Sequence, residues 1–360
     1  MKYCCANCFK DEQIINTIKN ENIIADCDFC SSKNVPVIDI SKDNPVSEMI
    51  IRLVQAYSVS NNENARFLKE SLRDDWDIFN GGCEIIQTLI NALCSYFVDI
   101  SDDIFTNKVI IPQIYDDDFQ KEFGLFSGLS WKSFSEYIKY TNRFHNSYFN
   151  SDEFASILTS ICKEYSTDDS FYRARICKNP EGYTKNEMFG PPKGLRRPGR
   201  INPEEIGVLY LSSDKKTILY ETRANVFDYI TIGKFNPKRV LNLVDLSGFS
   251  SISPFKYNDD VIEKYAINRN VFHEMAIDIA KPVRRSDSPF EYLPTQFIAE
   301  FIKSQGYDGV AYESTINKGG YNFAIFDEAL FECVSVETVE VTNITYSTNE
   351  LYDDAFVIKE

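Results

Sequence analysis

Histidine, basic residues and long apolar stretches are all scarce in this sequence of 360 residues. It has two histidines, and its 38 lysines and arginines stand against 54 aspartates and glutamates, which gives a net charge of −16. This negative charge argues against broad, salt-driven binding to nucleic acid or to an anionic membrane. Neither is therefore expected to be a main partner.

The two histidines also restrict the catalytic classes open to the chain. HEPN nucleases use an arginine and a histidine separated by four to six residues, whereas Arg143 and His145 are separated by one and Arg269 and His273 by three. The sequence contains no Gly-x-Ser-x-Gly elbow and no Gly-x-x-x-x-Gly-Lys phosphate loop. Ribonuclease, serine hydrolase and kinase activities are thus not expected.

No window is apolar enough for a signal peptide or a membrane span. The first residues read MKYCCANC, and the most apolar long window, 85–100, is interrupted by Gln87, Thr88, Asn91 and Ser95. Hydrophobic residues at 43% and aromatic residues at 14% suffice for packed cores. We expect a globular cytoplasmic protein with two domains and a small module.

Four of the ten cysteines form two Cys-x-x-Cys pairs. Cys5 and Cys8 are followed, after 18 intervening residues, by Cys27 and Cys30, which is the spacing of a four-thiolate zinc site. Cys4 would leave three residues before Cys8, so Cys5 is the favoured ligand. We predict a structural Zn²⁺ in a zinc-ribbon-like module of residues 1–42, which lacks the basic excess of a nucleic-acid-binding finger.

The segment that follows the module has a helical pattern. Apolar residues recur at 85, 86, 89, 90, 93 and 97, and again along one face of a stretch at 151–165. Residues 43–167 are therefore predicted to form a mostly helical domain.

From about residue 170 the pattern changes to short β-rich runs. Strands are predicted at 171–176, 206–212, 229–235, 240–246, 309–313, 321–326 and 333–341, with helices at 213–225, 258–280 and 294–305. An apolar stripe that includes Phe297 and Phe301 is expected to seat the last helix on the sheet, and Gly306 to end it. The predicted fold class is α+β, with a twisted-sheet domain at 168–345 and a tail at 346–360.

Polar residues lie at the edges of several of these elements, where scaffolds deliver pocket residues. The four of interest are Arg173, Tyr210, Glu221 and Ser314. Each alone has an ordinary structural explanation, such as an ion pair or a cap. A cap at Ser213 or Asp214 would start a helix that holds Glu221 about two turns inside it.

These residues, with Gly199-Arg200-Ile201-Asn202 and Gly306-Tyr307-Asp308-Gly309, resemble the RES family, which is named after its Arg, Glu and Ser. The resemblance covers about residues 168–340, and the helical region before it resembles in organisation the HEPN-like region that accompanies some RES domains. It implies a pocket related to ADP-ribosyltransferase folds, which binds NAD as substrate and breaks the nicotinamide–ribose bond.

The resemblance implies catalytic roles for Arg173, Tyr210, Glu221 and Ser314. The Glu221 carboxylate suits the positive charge that develops on the ribose, and the planar guanidinium of Arg173 suits two phosphate oxygens. Tyr210 is expected to pack on nicotinamide or ribose. Ser314 is expected to hydrogen-bond ribose or phosphate.

The expected cofactor-binding residues are Arg200, Asn202, Tyr172 and Asn322. Arg200 is a second candidate for the anion, and Asn322 is expected to line the same cleft. Ala174 follows Arg173 where some RES proteins have an aromatic residue, so Tyr172, Tyr210 or another residue would replace that ring. The acceptor of the ADP-ribose stays open for this reason.

The sequence therefore predicts an NAD-degrading phosphorylase or glycohydrolase that acts as a toxin or as an abortive-infection effector in defence against phage. ADP-ribosylation of a protein or nucleic-acid target is one alternative, and a non-enzymatic nucleotide sensor is another. The expected partners are NAD, phosphate as the attacking group, an antitoxin or trigger protein, and a second copy of the chain. The trigger and the oligomeric state stay open.

Overall fold

The computed structural model describes residues 1–95, 101–250, 253–255, 262–281 and 288–345. The chain divides into two compact units, of which the first comprises Met1–Lys163 and Val244–Gly306 and the second comprises Glu164–Leu243 and Tyr307–Glu360. The tail predicted at 346–360 and the helix position Phe97 lie outside the described residues.

The helices are α1 (Glu12–Asn20), α2 (Pro45–Gln55), α3 (Leu68–Ser71), α4 (Cys83–Cys94), α5 (Asp103–Thr106), α6 (Asp117–Phe123), α7 (Trp131–Tyr140), α8 (Ser151–Leu158), α9 (Lys215–Thr222), α10 (Ile262–Ala280) and α11 (Leu293–Ser304). The strands are β1 (Tyr3–Cys5), β2 (Ile23–Ala25), β3 (Val35–Asp39), β4 (Ser58–Val59), β5 (Arg66–Phe67), β6 (Lys108–Ile110), β7 (Cys162–Tyr165), β8 (Phe171–Cys177), β9 (Leu209–Ser212), β10 (Tyr229–Pro237), β11 (Leu241–Asp245), β12 (Gly309–Glu313), β13 (Tyr321–Ile325) and β14 (Phe331–Glu340). Among these helices, none is both long enough and apolar enough to cross a membrane.

The cysteine-rich start of the first unit shares one hydrophobic core with the helices that follow it. Its small sheet has the order β1-β3-β2. Main-chain hydrogen bonds join the first Cys-x-x-Cys turn to the segment before α4, since Lys10 N donates to Ile78 O and Asn80 N donates to Cys8 O, each at 2.8 Å. The cysteine turn is thereby fixed to the helical part of this unit.

The stretch at 151–165 is not one helix, as its spacing suggested. Helix α8 ends at Leu158, and β7 begins at Cys162. Asp245 N donates to Ile161 O at 2.8 Å, next to the point where β7 starts. Pairing with a strand some 80 residues away in sequence overrides the local helical pattern here.

Two residues of the apolar stripe of α11 take part in a cluster of aromatic rings. Rings of Phe297 and Phe301 lie 5.1 and 4.8 Å from the ring of Phe149, and Phe297 also lies 5.6 Å from Phe134 of α7. The rings of Phe297 and Phe301 therefore pack on aromatic residues of the first unit. Gly306 follows the helix with φ +86°, as expected of a helix-ending glycine.

The largest sheet has the strand order β14-β10-β8-β9-β13-β12-β11-β7 and contains all seven strands predicted from the sequence, which bears out the α+β class. Its register places Ser212 opposite Asn322, and Asn322 opposite Tyr312. The alternate positions, such as Leu211 and Phe323, belong to the hydrophobic core of the second unit. The other face thus carries a row of polar side chains across β9, β13 and β12.

Candidate active site

Glu221 is positioned by the short helix α9. Asp214 is the N-cap, and its carboxylate accepts a hydrogen bond from Thr217 N at 2.8 Å, so the cap is Asp214 rather than Ser213. The helix ends at Arg223, which has a left-handed backbone with φ 52°. Glu221 therefore lies in the last turn, about two turns from the cap.

The carboxylate of Glu221 is held by two side chains from the neighbouring strands. Ser314 Oγ donates to Oε1 at 2.8 Å, and Asn322 Nδ2 donates to the same oxygen at 2.7 Å. Both donors are buried, with 6% and 8% of their surface exposed. Hydrogen bonds to an ionised acceptor are stronger than neutral ones, so these two fix the orientation of the carboxylate.

Ser314 is itself oriented by the loop that follows β12. Its Oγ accepts a hydrogen bond from Asn317 N at 3.2 Å. A hydroxyl has a single proton to donate, and with the loop amide on its oxygen that proton is directed at Glu221. The sequence-predicted Glu221, Ser314 and Asn322 are therefore in direct contact.

Tyr210 and Asn202 form a second group, which shapes the loop at 197–206. Tyr210 OH donates to Asn202 Oδ1 at 2.7 Å, and Asn202 Nδ2 donates to the carbonyls of Arg197, Pro203 and Ile206 at 3.0, 3.1 and 3.1 Å. Burial raises the pKa of the Tyr210 hydroxyl, which keeps it a neutral donor. Asn202, expected to contact the cofactor, uses these bonds to hold the loop that contains Arg200.

Arg173 lies in β8 and is largely buried. Its Nη1 donates to the main-chain oxygen of Tyr210 at 3.3 Å, and its buried Nε has no hydrogen-bond partner among the described residues. Burial, reinforced by the positive charge of Arg175, lowers the pKa of Arg173 to about 10. A guanidinium in this condition is suited to an anionic ligand.

The side of Arg173 opens on a cavity of about 410 Å³. Tyr210, Asn202, Arg196 and Arg197 also line this cavity, whereas Glu221 and Ser314 do not. The structure thus brings the predicted catalytic residues together in two groups. Tyr210 connects the members of the second group, because its main-chain oxygen accepts a hydrogen bond from Arg173 and its hydroxyl donates to Asn202.

Tyr312 links the two groups and was missed by the sequence reasoning. Burial raises its pKa, the charges of Tyr210 and Glu221 add to this effect, and Arg200 opposes it. Tyr312 is the cross-strand neighbour of Asn322, so it lies beside the group of Glu221, and the charge of Tyr210 in the second group also influences it. The sequence contained a signal for Tyr312, because it precedes Ser314 by two residues and strand alternation places both side chains on the same face of the sheet.

Ser212 and Tyr172 complete the polar face of the sheet. They are paired across β9 and β8. Ser212 is completely buried, and its Oγ donates to Asn322 Oδ1 at 2.7 Å. Tyr172, one of the candidates to replace the missing aromatic ring after Arg173, therefore lies beside the hydrogen-bond chain that reaches Glu221.

A candidate metal centre lies in the first unit, where the four predicted cysteine sulfurs lie within 4.8 Å of one another. The Sγ–Sγ distances are 3.7 Å for Cys5 and Cys8, 3.4 Å for Cys5 and Cys30, and 3.6 Å for Cys8 and Cys27. Four sulfurs at 2.3 Å from a tetrahedral Zn²⁺ would be about 3.8 Å apart, so the cluster fits this ion. Cys5 belongs to this cluster and Cys4 does not, in line with the spacing of the two Cys-x-x-Cys pairs.

Comparison with known proteins gives a family match over the residues of this candidate active site. Residues 170–348 match the RES domain family, and no curated protein matches the chain. One similar solved chain comes from the crystal structure of the M. tuberculosis MbcT-MbcA toxin-antitoxin complex. The two chains are 12% identical, and the match covers 52% of this protein and 91% of the solved chain, with a TM-score of 0.31. Residues 170–348, which contain Arg173, Glu221 and Ser314, belong to the RES domain family.

Proposed function

We propose that the RES domain consumes NAD by breaking the bond between nicotinamide and ribose. The observation that carries this proposal is the restrained carboxylate of Glu221, with Ser314 Oγ at 2.8 Å and Asn322 Nδ2 at 2.7 Å from Oε1. Because both donors use Oε1, the second oxygen, Oε2, is left to face a substrate. No hydrogen bond from the described part of the chain reaches Oε2.

The chemistry of NAD cleavage matches a carboxylate held in this way. The C–N bond breaks, its electron pair leaves with the neutral nicotinamide, and positive charge develops on the ribose before an acceptor oxygen bonds to C1′ and loses its proton. A preorganised carboxylate stabilises that charge without reorganising at the moment of reaction. Glu221 is assigned this role, and Ser314 and Asn322 hold it in place.

Arg173 is assigned to the diphosphate of NAD or to an attacking phosphate. Its buried Nε lacks a hydrogen-bond partner among the described residues, and the charge of Glu328 only partly balances the guanidinium. An anion would offset the unfavourable burial of this charge, and two of its oxygens could accept hydrogen bonds from the guanidinium at once. The cavity of about 410 Å³ beside it is in the size range of small-molecule sites.

The remaining assignments follow from these two. Tyr210 and Asn202 hold the loop that contains Arg200, which is a second candidate to bind an anion of the substrate, and Tyr172 lies on the face where nicotinamide would stack. The four cysteines bind a structural Zn²⁺, which joins the two Cys-x-x-Cys turns at the start of the first unit. NAD depletion would make the protein toxic to its own cell, so control by an antitoxin or trigger protein is part of the proposal.

The proposal is tested by following nicotinamide release from NAD by the purified full chain, with and without phosphate. Wild type should release nicotinamide, and Glu221→Gln should lower kcat by about a hundredfold or more, as loss of one charge-stabilising group does. Glu313→Gln is the matched control, because Glu313 is an exposed neighbour on the opposite face of β12, and it should stay within about twofold of wild type.

The products identify the acceptor. Phosphate-dependent ADP-ribose phosphate indicates phosphorolysis, free ADP-ribose indicates hydrolysis, and label retained on a macromolecule indicates ADP-ribosyl transfer. NAD that binds but stays intact would contradict the enzymatic proposal and favour a nucleotide sensor. Equal rates for wild type and Glu221→Gln would contradict the role of the carboxylate.

A further inference from the structure

The hydrogen bonds around Glu221 continue one step further into the sheet than the catalytic group requires. Ser212 Oγ donates to Asn322 Oδ1 at 2.7 Å, and Asn322 Nδ2 donates to Glu221 Oε1 at 2.7 Å. Ser212 ends β9 and has no exposed surface. A side chain buried in this way acts on a substrate only through its neighbours.

The direction of this chain of hydrogen bonds is determined by its last member. An ionised carboxylate only accepts hydrogen bonds, so Asn322 must turn its Nδ2 toward Glu221. Its Oδ1 then points at Ser212 and needs a donor, because a buried polar atom without a partner is costly. The hydroxyl of Ser212 is that donor, and it keeps the amide from rotating.

We infer that Ser212 is a positioning residue for NAD cleavage, which acts on Glu221 only through the amide of Asn322. This inference rests on the proposed function. Without Ser212 the amide of Asn322 loses its anchor, and Glu221 keeps a firm bond only from Ser314. The carboxylate then spends less of its time in the orientation that faces the ribose.

The inferred role predicts an effect on the chemical step rather than on substrate binding. Ser212→Ala should lower kcat by about tenfold and leave KM for NAD within about twofold, since one hydrogen bond to a positioned group is lost. Asn322→Ala removes a direct donor to the carboxylate and should lower kcat by about a hundredfold. Ser212→Thr keeps the hydroxyl and should retain most of kcat.

The decisive experiment is a double-mutant cycle of Ser212→Ala and Asn322→Ala, measured as nicotinamide release by the full chain. If Ser212 acts only through Asn322, the double variant should have the kcat of Asn322→Ala within about twofold. Thr231→Val is the matched control, because Thr231 is also completely buried in the sheet but its hydroxyl contacts Thr338 rather than this network. It should leave kcat within about twofold.

Three kinetic results would overturn the inference: losses that multiply in the double variant, a rise in KM without a fall in kcat for Ser212→Ala, or equal rates for Ser212→Ala and Thr231→Val. A readout independent of catalysis is the side-chain amide signal of Asn322 in protein labelled with ¹⁵N-asparagine. Its protons should exchange slowly in wild type and Thr231→Val and at least tenfold faster in Ser212→Ala. Unchanged exchange would also overturn the inference.

The two proposals can fail separately. If wild type leaves NAD intact, the proposed function fails, and the exchange of the Asn322 amide alone decides whether Ser212 orients it. If NAD is cleaved but the cycle is additive, the proposed function stands and the positioning role of Ser212 does not.

Discussion

Replacing Arg173 by methionine should make the ligand-free protein more stable while abolishing its response to NAD. The guanidinium is largely buried, its Nε lacks a hydrogen-bond partner among the described residues, and Arg175 adds a second positive charge nearby. Methionine keeps an unbranched apolar stem of similar length and removes the charge. Burial of the charge is therefore an unfavourable contribution, which the charge of Glu328 offsets only in part and which an anionic ligand would offset further.

The magnitude follows from the pKa of Arg173. A fall in the pKa from the ordinary value of 12.5 to about 10 means that the charged guanidinium destabilises the folded state by about 3 kcal/mol at neutral pH. The contribution is present at every pH below about 10 and disappears as pH rises through the range between the folded and unfolded values. Loss of the 3.3 Å bond to Tyr210 O and of some packing offsets about 1–2 kcal/mol of the gain.

The net expectation is that Arg173→Met raises the free energy of unfolding by about 1–2 kcal/mol and the melting temperature by several degrees, since domains of this size shift by about 2–4 °C per kcal/mol. Differential scanning calorimetry measures both. NAD is added in the Glu221→Gln background, where it is not consumed, and should stabilise the protein only when Arg173 is present.

Arg175→Met is the matched control for this substitution. Arg175 donates to the carbonyl of Glu187 and lies over the ring of Tyr183 at 4.9 Å, so its loss should lower the melting temperature. A lower melting temperature for Arg173→Met, or stabilisation by NAD that persists after the substitution, would refute the interpretation that the buried charge of Arg173 binds an anionic ligand.

Three further predictions concern the metal centre, the loop and the linking tyrosine. Cys5→Ser should reduce zinc from about one ion per chain to near zero in elemental analysis, whereas Cys4→Ser should retain it; equal zinc in both would contradict the ligand set. Gly199→Ala should raise KM for NAD by about tenfold, because its Cβ would meet Asn202 Oδ1 at 2.7 Å and displace the loop; an unchanged KM would argue against that loop. Tyr312→Phe should lower kcat by about tenfold with the same pH profile as wild type up to about pH 10, because the raised pKa of Tyr312 keeps the hydroxyl neutral there; a wild-type kcat would remove it from the site.

The elements that the sequence predicts well are those whose partners are near in sequence or whose pattern is strong. The segment from Tyr229 to Phe235 is rich in β-branched and aromatic residues, and Asp214 is one of the two caps that the sequence offered for α9. Strand β7 was not predictable in this way, because its pairing partner follows some 80 residues later and its own residues continue a helical pattern. The partner of the α11 stripe likewise depends on contacts that periodicity does not encode.

The candidate site shows the same division. Glu221, Ser314 and Asn322 are recognisable from their order, and the structure joins them by hydrogen bonds. Ser212 gives no signal as a serine within a strand, and its role emerges only from the register that pairs it with Asn322. Side-chain hydrogen bonds across a sheet depend on register, which a single sequence specifies weakly.

The most direct test of the account is single-turnover release of nicotinamide, with enzyme in excess over NAD labelled in the nicotinamide ring. This measures bond cleavage without product release. The account predicts that wild type and Glu313→Gln release the label at the same rate and that Glu221→Gln releases it at least about a hundredfold more slowly. Release by Glu221→Gln at the wild-type rate, or no release by wild type, would contradict it.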